Sequence, residues 1–310
     1  MLKILLTQNN LRIKKDGSTN YHPENQYLNL IEQIINNGTW EEGRNGKTLS
    51  IFGAAMHFSL QNNKIPILTT KKVAWKTCLR ELLFFISGKT SNKILKEQNV
   101  HIWDANSSRE FLDSRGLINR EEDDLGPIYG FQWRHFNAKY NNSDTYYSKS
   151  GIDQLQEVIN CLKDPKQRTS RRMIISAWNP CQLHEMALPP CHVMMQFNVH
   201  DGNKLSCSMY QRSVDVMLGQ PFNIASYCFL THLLAKHCDL EACDFYYYMG
   251  NCHIYEDHLE PAKIQIERES YKFPTIEIIN KRENIDDYVE SDFVLNDYKY
   301  HEAIKMKMVA

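Results

Sequence analysis

Long apolar runs, closely spaced cysteine pairs, an excess of charge of one sign and internal repeats are all missing from this chain of 310 residues. Its nine cysteines (Cys78, Cys161, Cys181, Cys191, Cys207, Cys228, Cys238, Cys243 and Cys252) never form C-x-x-C. Neither a zinc ribbon nor a redox dithiol motif is therefore indicated. Lys+Arg 36 against Asp+Glu 37 leaves a formal net charge of -1, which lacks the basic excess of a generic nucleic-acid or membrane-surface binder. Any anionic ligand must be met by arginines clustered locally. Residues 1–6 are too short for the apolar region of a signal peptide, and no apolar run approaches a membrane span. With an odd cysteine count, this leads us to expect reduced thiols and a cytoplasmic compartment, or a nuclear one.

What is present reads as one mixed α/β domain with a sizeable core, since 42% of residues are hydrophobic and no composition break marks a linker. Residues 1–22 are polar and read as an irregular N-terminal arm, with the folded domain over 23–310. Apolar spacing predicts helices over 23–36, 75–86, 152–162 and 258–267. A segment apolar nearly all round, 221–238, predicts a helix buried in the middle of the protein. Strands are predicted over 49–60, 173–178, 193–200, 204–211, 245–248 and 275–279, with a hairpin turn at Asp201-Gly202. The polar stretch 105–150 reads as long loops around an ordered core at 125–134.

The chemistry is concentrated between Met186 and Tyr227. Cys191 follows Pro189-Pro190, which stiffen its approach, and Arg212, Asp215 and Asn223 come soon after. A thiolate is a strong nucleophile, and a nearby arginine favours the charged form; the plainer alternative is a buried structural cysteine. His192 is badly placed as a base for Cys191, because neighbours on a strand point to opposite faces. Arg171-Arg172 and Arg212-Ser213 suit a phosphate, or are solvated strand ends. Asn223 is either a helix cap or a reader of a pyrimidine edge. Asp215 is a salt-bridge partner or an acceptor for a ring nitrogen. Glu81, in apolar surroundings, is expected to have its pKa raised toward neutrality and to serve proton transfer. His253 and Tyr255 are core groups or ligands of a sugar hydroxyl.

Taken together, Leu188-Pro189-Pro190-Cys191-His192, Tyr210-Gln211-Arg212-Ser213 with Asp215, Pro221-Phe222-Asn223-Ile224-Ala225-Ser226-Tyr227 and His253-Ile254-Tyr255 resemble the thymidylate synthase family from about residue 27 onward. Gly126-Pro127-Ile128-Tyr129-Gly130-Phe131-Gln132-Trp133-Arg134 and the tail 304–310 add independent matches. The resemblance implies a sheet-centred α/β fold whose sheet face forms a homodimer interface. It implies methylation of dUMP at C5 by 5,10-methylenetetrahydrofolate as one-carbon donor and reductant, with no metal and no nucleic acid or membrane required. Cys191 would attack C6, Glu81 manage protons near O4, Tyr129 assist removal of the C5 proton, and Asn223 hold the base edge. Arg44, Arg212 and Ser213 would hold the phosphate, with Arg171 and Arg172 from the partner subunit, and His253 and Tyr255 the deoxyribose. Asp215, Trp103, Leu218, Gly219 and Phe222 would form the folate site, Lys71 would meet its glutamate tail, and the last residues would close over the ligands.

Two departures stand out. The phosphate loop, Gly43-Arg44-Asn45-Gly46-Lys47-Thr48, is one residue shorter than the family's, with Lys47 a partial substitute for Arg44. Gly250-Asn251 replaces the usual Gly-Asp before His253, weakening its support. A deoxycytidylate hydroxymethylase shares this machinery, but an aspartate suits its base better than Asn223, and a catalytically silent binding relative would not keep every reacting residue. Some relatives fuse such a domain to dihydrofolate reductase; the present residues are expected to hold one of the two only.

Overall fold

The computed structural model describes residues 10–13, 17, 19–43, 45–148 and 150–308. The strands are β1 (Leu11–Ile13), β2 (Thr19–Tyr21), β3 (Thr39–Gly43), β4 (Gly46–Ser59), β5 (Ile174–Ser176), β6 (His192–His200), β7 (Lys204–Asp215), β8 (Glu241–Tyr255), β9 (Thr275–Ile278) and β10 (Phe293–Asn296). The longer helices are α1 (Asn25–Asn37), α2 (Trp75–Ile86), α3 (Tyr129–His135), α4 (Gln154–Lys163), α5 (Gly219–His237) and α6 (Leu259–Ile266). A six-stranded sheet in the order β3-β4-β8-β7-β6-β5 is the centre of the fold. Only β7 and β8 run parallel, joined by α5 as their crossover, and the remaining pairs are antiparallel.

The two sheet faces differ in what they meet. Met195, Met209, Tyr247 and Met56 form one row across β6, β7, β8 and β4, and all four are buried. The adjacent row, Met194, Tyr210, Tyr248 and Ala55, lies on the other face, where Met194 and Tyr210 are 36% and 39% exposed. Alternation of side chains along each strand accounts for this split. Helix α5 packs on β7 and β8 on one side and on α2 on the other. That sandwiching is why its sequence shows no polar face.

The hairpin between β6 and β7 turns at Asp201 and Gly202, with φ of 48° and 85°, as the Asp-Gly signal predicts. Strand β8 is much longer than the predicted 245–248, because tyrosines on both of its faces conceal the alternation. The arm is not irregular throughout: β1 pairs with β2, and Asn25 on α1 donates from Nδ2 to the carbonyls of Asn10 (2.8 Å) and Asn20 (3.0 Å). These hydrogen bonds supply the order that its composition does not signal. The stretch 105–150 likewise holds a short helix, Arg109–Ser114, as well as α3.

Close helix packing carries α3 to the site. A Cβ on Gly130 would stand 2.4 Å from the carbonyl oxygen of Phe85, so only glycine lets α3 lie this close to α2. Tyr129 is thereby stacked on Phe85, with ring centroids 4.9 Å apart.

Candidate active site

Cys191 lies immediately before β6, and its N–H donates to the hydroxyl of Tyr129 at 2.8 Å. Arg212 on the neighbouring β7 brings Nη2 to 3.9 Å from Sγ. The same guanidinium donates from Nε to the carbonyl of Pro190 (2.9 Å) and from Nη2 to that of Pro189 (3.0 Å). The two prolines thus hold the arginine by their carbonyls. Trp178, which sequence reasoning passed over, lies beneath the guanidinium at 5.4 Å. No ion pair engages Arg212 among the described residues, so its charge remains for an anion. The expected lowering of the thiol's pKa is corrected here: burial pushes Cys191 up, Asp215 adds to this, and Arg212 only partly offsets it. Desolvation penalises the thiolate more than one cation, itself engaged by two carbonyls, favours it.

Glu81 on α2 is buried and accepts from Trp103 Nε1 at 2.7 Å. Burial raises its carboxyl from 4.5 to about 7, against the opposing pull of that hydrogen bond. Trp103 in turn stands edge-on to Phe85 and Tyr129.

Asn223 is not a cap, since it lies within α5. Its orientation follows from a chain of hydrogen bonds that begins at a carbonyl. Gln211 Nε2 donates to Ser213 O (2.9 Å) and to Asn223 Oδ1 (3.0 Å), and Gln211 Oε1 accepts from the Tyr247 hydroxyl (2.6 Å). A carbonyl only accepts, so the Gln211 atom facing Ser213 is nitrogen, and the Asn223 atom facing Gln211 is oxygen. Asn223 Nδ2 then donates to His192 Nε2 at 2.7 Å. Burial holds His192 neutral, lowering it to about 4, which keeps that lone pair free to accept. One hydrogen and one lone pair of the Asn223 amide remain for a ligand. Gln211, His192 and Tyr247 were missed as site residues. His192 was weighed only as a base for Cys191, and Tyr247 entered only as part of the predicted strand 245–248.

Asp215 ends β7 and accepts from the N–H groups of Met217 (3.0 Å) and Leu218 (3.1 Å) through Oδ1. It shapes the turn into α5, and Oδ2 has no hydrogen bond among the described residues. Beside it, Leu218, Gly219 and Phe222 are half-buried. A Cβ on Gly219 would sit 3.6 Å from Asp215 Cβ and 3.7 Å from Asn223 Oδ1, so the glycine leaves room for about one methyl between these two groups.

His253 donates from Nδ1 to Asn251 Oδ1 at 2.9 Å, while Asn251 Nδ2 donates to Glu41 at 3.3 Å. His253 thus keeps an acceptor for Nδ1–H, a neutral amide oxygen in place of a carboxylate, and Nε2 is left as an acceptor. Burial lowers the pKa of His253. Tyr255 stands edge-on to it, at 5.4 Å.

Four predicted anion contacts lie apart from this cluster. Lys71 is buried, its ammonium bonded to the carbonyl of Met217, and burial lowers it to about 8. It is not presented to solvent, whereas Lys72 is exposed over Tyr300. Lys47 pairs with Glu256 at 3.5 Å instead of replacing Arg44; Arg44 lies outside the described residues. Arg171 and Arg172 are exposed, and no hydrogen bond among the described residues links them to Cys191, Arg212 or Ser213.

The family model described as thymidylate synthase matches residues 25–310. The chain belongs to the thymidylate synthase family. It is 51% identical over 289 residues to a bifunctional dihydrofolate reductase-thymidylate synthase of Zea mays, covering 93% of this chain and 54% of that protein. The Plasmodium berghei protein of the same name is 49% identical over 303 residues, 97% of this chain and 51% of its own length. The corresponding figures for the Paramecium tetraurelia protein are 51% over 288 residues, 93% and 61%. The chain therefore spans about half the length of the curated relatives it matches. Within this thymidylate synthase framework, Cys191, Tyr129, Arg212, Asn223 and Asp215 are gathered by the start of β6, the start of α3, the end of β7 and the head of α5.

Proposed function

We propose that this chain catalyses the reductive methylation of dUMP at C5, with 5,10-methylenetetrahydrofolate as cosubstrate, to give dTMP and dihydrofolate. The observation that carries the reading is the pairing of a single nucleophile, Cys191, with an unneutralised Arg212 at 3.9 Å, beside an Asn223 whose amide is oriented and half-free.

Cys191 Sγ gives up its proton, which O4 takes up, and attacks C6 of the uracil, forming a C–S bond as the C5–C6 π electrons move toward C5 and O4; the bond breaks again when Sγ leaves C6 and the ring double bond re-forms. Covalent catalysis divides one difficult substitution into easier steps. The raised resting pKa keeps the thiol protonated until substrate arrives, and Arg212 favours the thiolate as it forms. Asn223 donates its remaining hydrogen to O4 and accepts N3–H. Glu81, near neutrality, is poised to exchange protons on the O4 side, and Tyr129, in contact with the Cys191 backbone, assists loss of the C5 proton. Arg212 and Ser213 hold the phosphate together with Arg44, and His253 Nε2 with Tyr255 takes the deoxyribose hydroxyl.

The half-buried Leu218, Gly219 and Phe222, the free Asp215 Oδ2 and the space over Gly219 suit a flat heterocycle with ring N–H groups, and Trp103 extends this wall. When bound, the folate supplies the one-carbon unit and the hydride. Lys71 meets its glutamate tail only by leaving Met217. The uncovered row of Met194, Tyr210 and Tyr248 supports a homodimer formed by this sheet face. In that dimer the exposed Arg171 and Arg172 reach the partner's phosphate site. A cysteine set without a disulfide among the described residues favours a reducing compartment, the cytoplasm.

The test is tritium release from dUMP labelled at C5, with dihydrofolate formation followed in the same tube. Wild-type protein is expected to give both signals together. Cys191→Ala is expected to abolish both while still binding dUMP; retained turnover in that variant would sink the mechanism.

A further inference from the structure

The chain after β10 returns across the body and is held at two places. At the first, the Tyr298 hydroxyl donates to Leu68 O (2.8 Å) and accepts from Val73 N–H (3.0 Å). His301 donates its N–H to Thr69 O at 2.8 Å, stacks on Tyr271 at 4.8 Å, and donates from Nε2 to Glu269 O at 2.8 Å. Arg268 Nη1 bridges Thr70 O and Glu302 O, each at 2.7 Å. Residues 298–302 are thus strapped down. Beyond them, one hydrogen bond among the described residues fixes the chain: His258 Nε2 to Lys307 O at 2.8 Å. Met306 adds apolar contact with the core.

His258 is an unusual group to find there. It is fully buried, and because a carbonyl only accepts, its proton is on Nε2. Nδ1 is then the lone-pair nitrogen, and it is buried without a hydrogen-bond partner. A buried polar ring carries a desolvation cost that an apolar side chain at the same place would avoid. The single polar contact offsetting that cost is the tail carbonyl. The ring also stands edge-on to Tyr255 at 5.7 Å, and Tyr255 edge-on to His253 at 5.4 Å. The hold on the tail therefore shares a wall with the pair assigned to the deoxyribose.

We propose that His258 is a latch: a positioning residue that keeps the C-terminal tail down during the folate-dependent steps, through Lys307 O. This rests on the activity proposed above. The latch acts after nucleotide binding, so its loss uncouples proton loss at C5 from completion of the methyl group instead of preventing dUMP from binding.

The experiment compares wild type, His258→Leu and His258→Gln for dUMP affinity, folate KM, tritium release and dihydrofolate formation. In the leucine variant, dUMP affinity is expected to stay within about twofold, while folate KM rises about fivefold to tenfold, the loss of one neutral hydrogen bond. Tritium release should outrun dihydrofolate formation. Glutamine carries its amide nitrogen near the position of the ring Nε2 and should bring both readings back toward wild type. A folded leucine variant with matched signals and unchanged folate KM overturns the latch. So does a glutamine variant as uncoupled as the leucine one. Should His258→Leu fail to fold, His258→Asn, which stays polar but falls short of Lys307, carries the same test. Absence of tritium release from the wild type would instead count against the activity itself.

Discussion

At the scale of single residues, the site works by withholding water from ionisable groups. Glu81 is raised from 4.5 to about 7 by burial. In the unfolded chain it ionises from pH 4.5 upward, whereas in the folded protein it stays neutral until about pH 7. Its contribution to stability is therefore fully present below pH 4.5, falls as pH rises through that window, and is lost above pH 7. Glu81→Gln, which does not titrate, should gain on wild type by up to about 3 kcal/mol between those limits. Denaturant unfolding at pH 5 and pH 8 checks this, and an equal gap at both would refute it. Turnover of the variant should fall by a factor of about 100 or more. Asn223→Asp bears on the base: it exchanges the donor facing the ring for an acceptor. Relative kcat/KM should move from dUMP toward dCMP by a factor of about 10, for roughly 1–3 kcal/mol of mismatched buried partners. An unchanged preference would show that another group reads the base.

At the scale of elements, the head of α5 meets two demands, as a helix start and as the wall proposed for the folate. Gly219 serves the second. An alanine there meets only ordinary contacts, 3.6 Å and 3.7 Å away, and alanine is favoured over glycine in a helix by about 0.5–1 kcal/mol. Gly219→Ala should thus melt no lower than wild type while its folate KM rises several-fold and dUMP binding is kept. A fall in melting temperature, or loss of nucleotide binding, would mean that the glycine is structural. Helix α3 makes the opposite case. Gly130 already touches the Phe85 backbone, so any side chain there displaces Tyr129 from Cys191.

For the whole molecule, the question is whether one chain is a complete enzyme. On the homodimer proposed above it is not, because Arg171 and Arg172 would serve the partner's phosphate site. Two inactive proteins, Cys191→Ala and the double variant Arg171→Ala with Arg172→Ala, should regain about a quarter of wild-type activity after unfolding and refolding together. Half of the dimers are then mixed, and each mixed dimer has one intact site of two. No recovery, with mixed dimers demonstrated, would assign both arginines to their own chain's surface.

The sequence by itself determined the family and most of the elements. Periodicity found α2 to the residue, and Asp201-Gly202 found its hairpin, because these signals are local and solvent contrast enforces them. The motifs around Cys191, Arg212 and Asn223 pointed to the proposed reacting groups through the family they resemble, since a nucleophile, an anion clamp and a base reader each demand a residue type. Only the tertiary structure decided the balance at Cys191, where burial outweighs Arg212. It alone brought Gln211 and His192 onto Asn223 with Tyr247 behind Gln211, turned Lys71 inward, set the Asn251 oxygen against His253, and joined His258 to Lys307. Desolvation and hydrogen-bond direction depend on what distant segments place around a group, and no local pattern in a chain carries that information.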